Sequence, residues 1–191
     1  MEVTIIGAGA IGSHLVLLAR NWEVKLGVID FDKIESKNTQ SQFHSVMGLG
    51  KNKAVALKSL MAGMWKRQIE VMPTKLMGHN RKQLLTGTDL LIDCTDNFKA
   101  RDIIQEMALE LDIPCLHCCL SADGQFARIV WTEHFHPDKE DVEGEATCED
   151  GRNLAFHAMA AAVAAQVVTL YLDDDVKQSW QLTPFGMVRL T

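Results

Sequence analysis

Hydrophobic residues fall along this chain in two rhythms that alternate as an α/β fold requires. Residues 3–15, VTIIGAGAIGSHL, carry an apolar run straight into a glycine-rich turn and a further apolar stretch, the order of a strand feeding a helix. A second apolar run ends on Asp30-Phe31-Asp32, and a third, residues 89–97, ends on Cys94-Thr95-Asp96-Asn97. Residues 48–64 place Ala54, Leu57, Leu60 and Met61 at helical spacing, with Lys51 and Lys53 in the expected first turn. Residues 98–111, FKARDIIQEMALEL, read as a helix directly after the third strand.

Farther along, residues 114–120, PCLHCCL, read as a buried strand, and residues 125–131, QFARIVW, alternate after an Asp123-Gly124 hairpin signal. Residues 153–172 form a helix that is apolar nearly all round, with small alanines that permit close approach. His157 and Gln166 interrupt it too much for a membrane span, so packing against the sheet or a second subunit is expected. Residues 179–191 read as two short strands around Thr-Pro-Phe-Gly.

The glycines bring in chemistry. Gly7-x-Gly9-x-x-Gly12 lets a strand turn sharply into a helix, so that backbone N–H groups and the positive helix end can face a phosphate. Asp30 closes the next strand, where a ribose hydroxyl would lie. Strand before, helix after and acid at the next strand end separate a nucleotide site from an ordinary tight turn. The fold class is therefore α/β and Rossmann-like, a mixed sheet with a parallel nucleotide-binding half and an antiparallel C-terminal half.

The nucleotide need not be NAD. Residues 30–43 continue as a polar loop in which Asn38, Gln40 and Gln42 can hydrogen-bond sugar or phosphate. Lysines at a helix start oppose the helix dipole; a triphosphate near Lys53 and Lys51 would relieve that misfit, whereas the plain alternative is solvated surface lysines. Asp96 stands at the carboxyl end of a parallel strand, on the rim where open α/β sheets bind ligands. There it would hold Mg²⁺, which takes one or two protein oxygens, or else Asp96 or Asn97 simply caps the following helix.

Taken in order, Gly7-x-Gly9-x-x-Gly12, Asp30-x-Asp32 with Asn38 and Gln42, Gly50-x-x-Lys53, and Asp93-Cys94-Thr95-Asp96-Asn97 with Arg101 resemble the ThiF/MoeB family, bacterial relatives of ubiquitin-activating enzymes. The likeness covers most of the chain, and the motifs are specific in combination. It implies an adenylyltransferase that binds ATP and Mg²⁺ and activates the C-terminal Gly-Gly carboxylate of a small ubiquitin-like or sulfur-carrier protein. It also implies a homodimer or heterodimer. By resemblance Gly7, Gly9 and Gly12 form the phosphate turn, Asp30 takes the ribose, and Asp32, Asn38 and Gln42 complete the nucleotide site. Lys53 takes the triphosphate and Asp96 the Mg²⁺. Such a site must neutralise phosphate charge and hold the attacking carboxylate in line with departing pyrophosphate.

The chain departs from that pattern. Asn38-Thr39-Gln40-Ser41-Gln42 puts serine where the family commonly reads arginine. The chain begins almost directly with its first strand, so the N-terminal segment that often delivers another arginine, sometimes across a dimer, is not expected. Losing one such charge-stabilising group costs on the order of 10²–10³ in rate. The alternatives are an active enzyme with a partner-supplied arginine, a slow or inactive nucleotide-binding scaffold, or an NAD(P)-dependent oxidoreductase. The last wants a hydride-transfer pocket, and nothing after Asp96 supplies an obvious acid or base for it.

Cysteines narrow the setting. Five of them, with no signal peptide in view, point to a reducing cytoplasm. Cys115-x-x-Cys118 has zinc-like spacing, but positions three apart on a strand face opposite ways and cannot share a metal. The paired zinc motifs of many ThiF/MoeB proteins are also missing. Cys148 lies in a polar loop before the long helix, where the dipole favours a thiolate and neighbouring Glu145, Glu149 and Asp150 oppose it. Proteins of that family often carry a cysteine here, in some for acyl transfer or sulfur chemistry. Residues 131–145 hold His134 and His136 without a third ligand at fixed spacing, and read as a solvated crossover loop rather than a metal site.

Composition agrees with a single domain over residues 1–191: 47% of residues are hydrophobic, enough for a full core. The formal charge of −6 and the lack of a basic stripe argue against a nucleic-acid partner.

Overall fold

The structure, a computed structural model, describes residues 1–135 and 150–190. Eight strands, β1 (Glu2–Ile6), β2 (Lys25–Ile29), β3 (Glu70–Met72), β4 (Leu90–Asp93), β5 (Cys115–Leu120), β6 (Ala127–Trp131), β7 (Ser179–Thr183) and β8 (Gly186–Leu190), form one sheet in the order β3-β2-β1-β4-β5-β6-β7-β8. Pairings from β3 to β5 are parallel and those from β5 to β8 antiparallel. The expected mixed sheet is observed, with the change of sense at the hairpin that Asp123-Gly124 marks.

Among the described residues, six α-helices accompany it: α1 (Gly12–Leu18), α2 (Asn38–Ser41), α3 (Lys53–Trp65), α4 (Arg81–Leu85), α5 (Phe98–Leu111) and α6 (Leu154–Asp174). Central strands are buried on both faces, which is why they read as continuous apolar runs rather than alternating ones. Ile5 and Ile92 pack with Leu15, Leu57, Ala160 and Val167 from α1, α3 and α6. Ile6 and Leu91 face the other way, onto Leu85, Ile104 and Met107 from α4 and α5.

α6 is long and apolar enough to cross a membrane by length and composition. Its buried residues Phe156, His157, Ala160, Ala161, Ala164, Val167 and Val168 instead recur at helical spacing and lie in the core, where α6 packs against α1. Three elements carry no clear sequence signal: β3, α4 and α2, the last a turn of helix inside the expected polar loop, are at three, five and four residues too short to show a period. α3 starts later than its pattern suggests. Gly50, at φ +77°, turns the chain, and Asn52 caps the helix by accepting the Val55 N–H at 3.1 Å. Lys51 therefore lies outside the helix and Lys53 is its first residue.

From β1 the chain passes to β2 on one side, while β4 flanks β1 on the other. Such a switch of direction opens a crevice at the carboxyl ends of the strands. Gly7, Asp30 and the loop from Cys94 to Asn97 all meet that edge.

Candidate functional site

Steric demand accounts for two of the three glycines. A Cβ on Gly7 would lie 2.7 Å from the Cys94 carbonyl oxygen, and one on Gly12 would lie 1.9 Å from the Gly7 carbonyl oxygen. Gly7 also holds φ +94°, a conformation that favours glycine. Gly9 is different: nothing lies within 4 Å of the place its Cβ would take. The turn is thus closed against the Cys94–Thr95 backbone on one side and open at Gly9, and no described side chain caps α1 beyond it.

Ala8 is pinned at both of its polar groups. Its N–H donates to Asp30 Oδ2 at 2.6 Å, and its carbonyl accepts from His44 Nε2 at 2.9 Å. Burial pushes the His44 imidazole down to about 4, so it is neutral at pH 7 with its hydrogen on Nε2. Asp30 is buried, and its Oδ1 accepts the Asp32 N–H at 2.7 Å. Burial raises its carboxyl above the usual range, while those N–H groups and Lys53 pull the other way. Each carboxylate oxygen keeps a lone pair for a ligand hydroxyl.

Lys53 is buried at 7% exposure, and its ammonium lies 3.3 Å from Asp32 Oδ2. Asp32 relieves the charge misfit at the start of α3 and holds the cation in place. Asn38 is buried too, its Oδ1 accepting the Glu35 N–H at 2.9 Å, so it shapes the polar loop. Gln42 follows α2 half-buried, and its Oε1 has no partner among the described residues. Ser41, in the position of the expected arginine, faces the interior at 1% exposure; its carbonyl accepts from His157 Nδ1 at 3.2 Å.

The loop after β4 is clamped around Thr95. Asp93 Oδ1 accepts the Thr95 N–H at 2.9 Å and its hydroxyl at 2.7 Å, while Arg101 donates from Nε and Nη2 to the Thr95 carbonyl at 3.2 and 2.8 Å. Asn97 caps α5 by accepting the Ala100 N–H at 3.0 Å. The helix cap being Asn97, Asp96 is left exposed, with no partner among the described residues. One exposed carboxylate on the rim fits Mg²⁺, which keeps several waters and takes few protein oxygens. Behind the clamp, Asp93 Oδ2 lies 2.8 Å from His117 Nδ1.

Cys115 packs on one face of the sheet and Cys118 on the other, as strand alternation requires. Burial pushes the Cys115 thiol well up, and the contact with Cys94 together with burial does the same for Cys118. Cys119 is pushed up to about 11, chiefly by burial. Cys148 and His136 lie outside the described residues.

Sequence reasoning missed His44, His117 and the clamp on Thr95. The clamp had a local signal, since Asp-x-Thr is an Asx-turn spacing. The histidines had none, because each acts on a group more than twenty residues away.

Residues 1–184 match the family described as "ThiF family". A probable molybdopterin-synthase adenylyltransferase of Porphyra purpurea is 34% identical over 114 residues, which are 58% of this chain and 30% of that protein. A sulfur carrier protein adenylyltransferase of Thermus thermophilus is 30% identical over 130 residues, 66% of this chain and 48% of that one. The chain spans less than half the length of either. Among solved structures, E. coli MccB with ATP superposes with a TM-score of 0.78 over 100% of this chain and 63% of its own, at 16% identity, a likeness of fold.

Proposed function

The chain belongs to the ThiF family, and from that premise we propose that it binds Mg·ATP in the crevice between β1 and β4 and adenylates the C-terminal carboxylate of a small ubiquitin-like or sulfur-carrier protein. One observation carries the reading. Gly7 abuts Cys94 and Thr95, so the open phosphate turn and the loop presenting the exposed Asp96 are a single structure.

The residues divide the work by chemistry. The turn from Gly7 to Gly12 offers backbone N–H groups to phosphate oxygens. Asp30 accepts from the ribose hydroxyls. Lys53, held by Asp32, sets a fixed cation beside the triphosphate, where preorganised charge lowers the barrier most. Asp96 would hold Mg²⁺, which when bound neutralises phosphate charge. The carrier carboxylate oxygen then bonds the α-phosphorus as pyrophosphate leaves. Cys148 is proposed as the nucleophile of a following transfer, its sulfur bonding the acyl carbon as AMP departs.

The reading extends to a dimer in which a partner supplies the arginine that Ser41 does not, and to a reducing cytoplasm. A second reading, a catalytically weak scaffold subunit, is favoured by Ser41 itself, whose side chain is buried where a cation would be needed.

Pyrophosphate exchange into ATP, measured with and without carrier proteins ending in Gly-Gly, tests the proposal. Carrier-dependent exchange that falls at least 100-fold in Asp96→Ala supports adenylation. Mg·ATP binding without exchange for any carrier supports the scaffold.

A further inference from the structure

Asp93 spends one carboxylate oxygen on Thr95, which leaves Oδ2 to be satisfied in a site where 1% of the side chain is exposed. His117, from β5, satisfies it through Nδ1 at 2.8 Å and is itself fully buried. Two further contacts fix the imidazole. Thr132 Oγ1 lies 3.3 Å from Nε2, and the Phe135 ring stacks on it at 3.8 Å with an interplanar angle of 9°.

Thr132 Oγ1 also donates to the Cys115 carbonyl at 3.1 Å, which ties the hydroxyl beside Nε2 to β5 itself. The Asp93 carboxylate accepts at Oδ2, so Nδ1 faces it as the donor. Every polar atom of the imidazole is thereby committed, and its orientation has no freedom left.

A buried pair of this kind is a weak source of stability, since well-packed apolar residues commonly do as well. What it supplies is geometry. With Oδ2 locked by His117, Asp93 can turn only Oδ1 toward Thr95, and Thr95 in turn sets the backbone from which Asp96 projects. Resting on the adenylation reading above, we propose that His117 is a positioning residue, which through Asp93 and Thr95 aims Asp96 and so sets the affinity of the site for Mg²⁺.

His117→Phe keeps the ring stack on Phe135 and removes both hydrogen bonds, whereas His117→Asn restores a donor near the place of Nδ1. Two readouts are compared in the full chain: amide hydrogen exchange at Thr95 and Asp96 without ligand, and the Mg²⁺ concentration that half-saturates ATP binding by calorimetry. In His117→Phe, exchange at Thr95 should quicken about tenfold relative to the core amides of β4, and the Mg²⁺ midpoint should rise about tenfold or more, the usual size of an outer-shell loss. ATP binding in EDTA should stay within a factor of about three, and His117→Asn should recover most of both losses. Unchanged Thr95 exchange in folded His117→Phe would overturn the proposal, as would a loss in His117→Asn equal to that in His117→Phe. Should the parent protein fail to bind Mg·ATP, the functional reading falls by itself, and the exchange arm still decides whether His117 orders the loop.

Discussion

The Asp30 carboxylate accepts the backbone N–H of Ala8 at 2.6 Å, joining the acid that ends β2 to the glycine turn that ends β1. On the proposed reading, sugar recognition and phosphate recognition are therefore mechanically coupled. In Asp30→Asn one side-chain position must present an N–H where the carboxylate accepted one, from either Ala8 or Asp32. Hydrogen bonds to a charged group contribute about 1.5–3 kcal/mol each, so Mg·ATP affinity should fall roughly tenfold to a hundredfold. Titration calorimetry checks this, and inosine triphosphate, which keeps the ribose, should lose as much as ATP.

Lys53 predicts a different pattern, because in the proposed site its charge serves the triphosphate rather than the sugar. Lys53→Met should weaken ATP binding by about tenfold or more and leave AMP within a factor of about three. An equal loss for both nucleotides would mean that Lys53 only supports the fold through Asp32.

Acid should loosen the protein through its buried histidines. The His44 imidazole is held at about 4 in the folded state, against 6.5 for an ordinary histidine. Between those values the unfolded chain binds a proton that the folded chain does not, so stability falls as pH drops through that window and no further loss comes from His44 below it. At 1.36 kcal/mol per pH unit the shift is worth about 3 kcal/mol. Burial lowers His14 and His157 as well, and both act in the same direction. Asp30 acts oppositely: its raised pKa means that stability is gained as pH falls through the folded value. The thermal midpoint of the parent should therefore drop between pH 6.5 and pH 4 more steeply than that of His44→Phe.

Restoring the expected arginine should not restore a cation. Ser41 points inward at 1% exposure, beneath the His157 contact, so Ser41→Arg must force a long charged chain into packed interior. Overpacking of this kind costs about 1–3 kcal/mol. A lowered thermal midpoint with no gain in pyrophosphate exchange is the expected result; faster exchange would show that position 41 can reach the phosphates.

Elements with local signals were legible from the sequence. The helix Phe98–Leu111 is bounded where its pattern begins and ends, by the Asn97 cap and by Asp112 at φ +52°. The glycine turn, Asp30 and the rim position of Asp96 follow from strand order alone. What could not be read are contacts whose partners are distant in sequence. Nothing in Asp30-Phe31-Asp32 says that Asp32 will meet Lys53, nor does the apolar strand from Cys115 show that His117 will lock Asp93. Those pairings depend on the register between neighbouring elements, as where Asp93 stands opposite His117, and register is a property of the assembled sheet.

Calorimetric titration of the purified protein with Mg·ATP and, separately, with NAD, repeated on Asp96→Ala, bears most directly on the site. The account predicts Mg·ATP binding that weakens about tenfold or more in the variant, with no matching response to NAD. Binding of NAD alone, or Mg·ATP binding indifferent to Asp96, would contradict it.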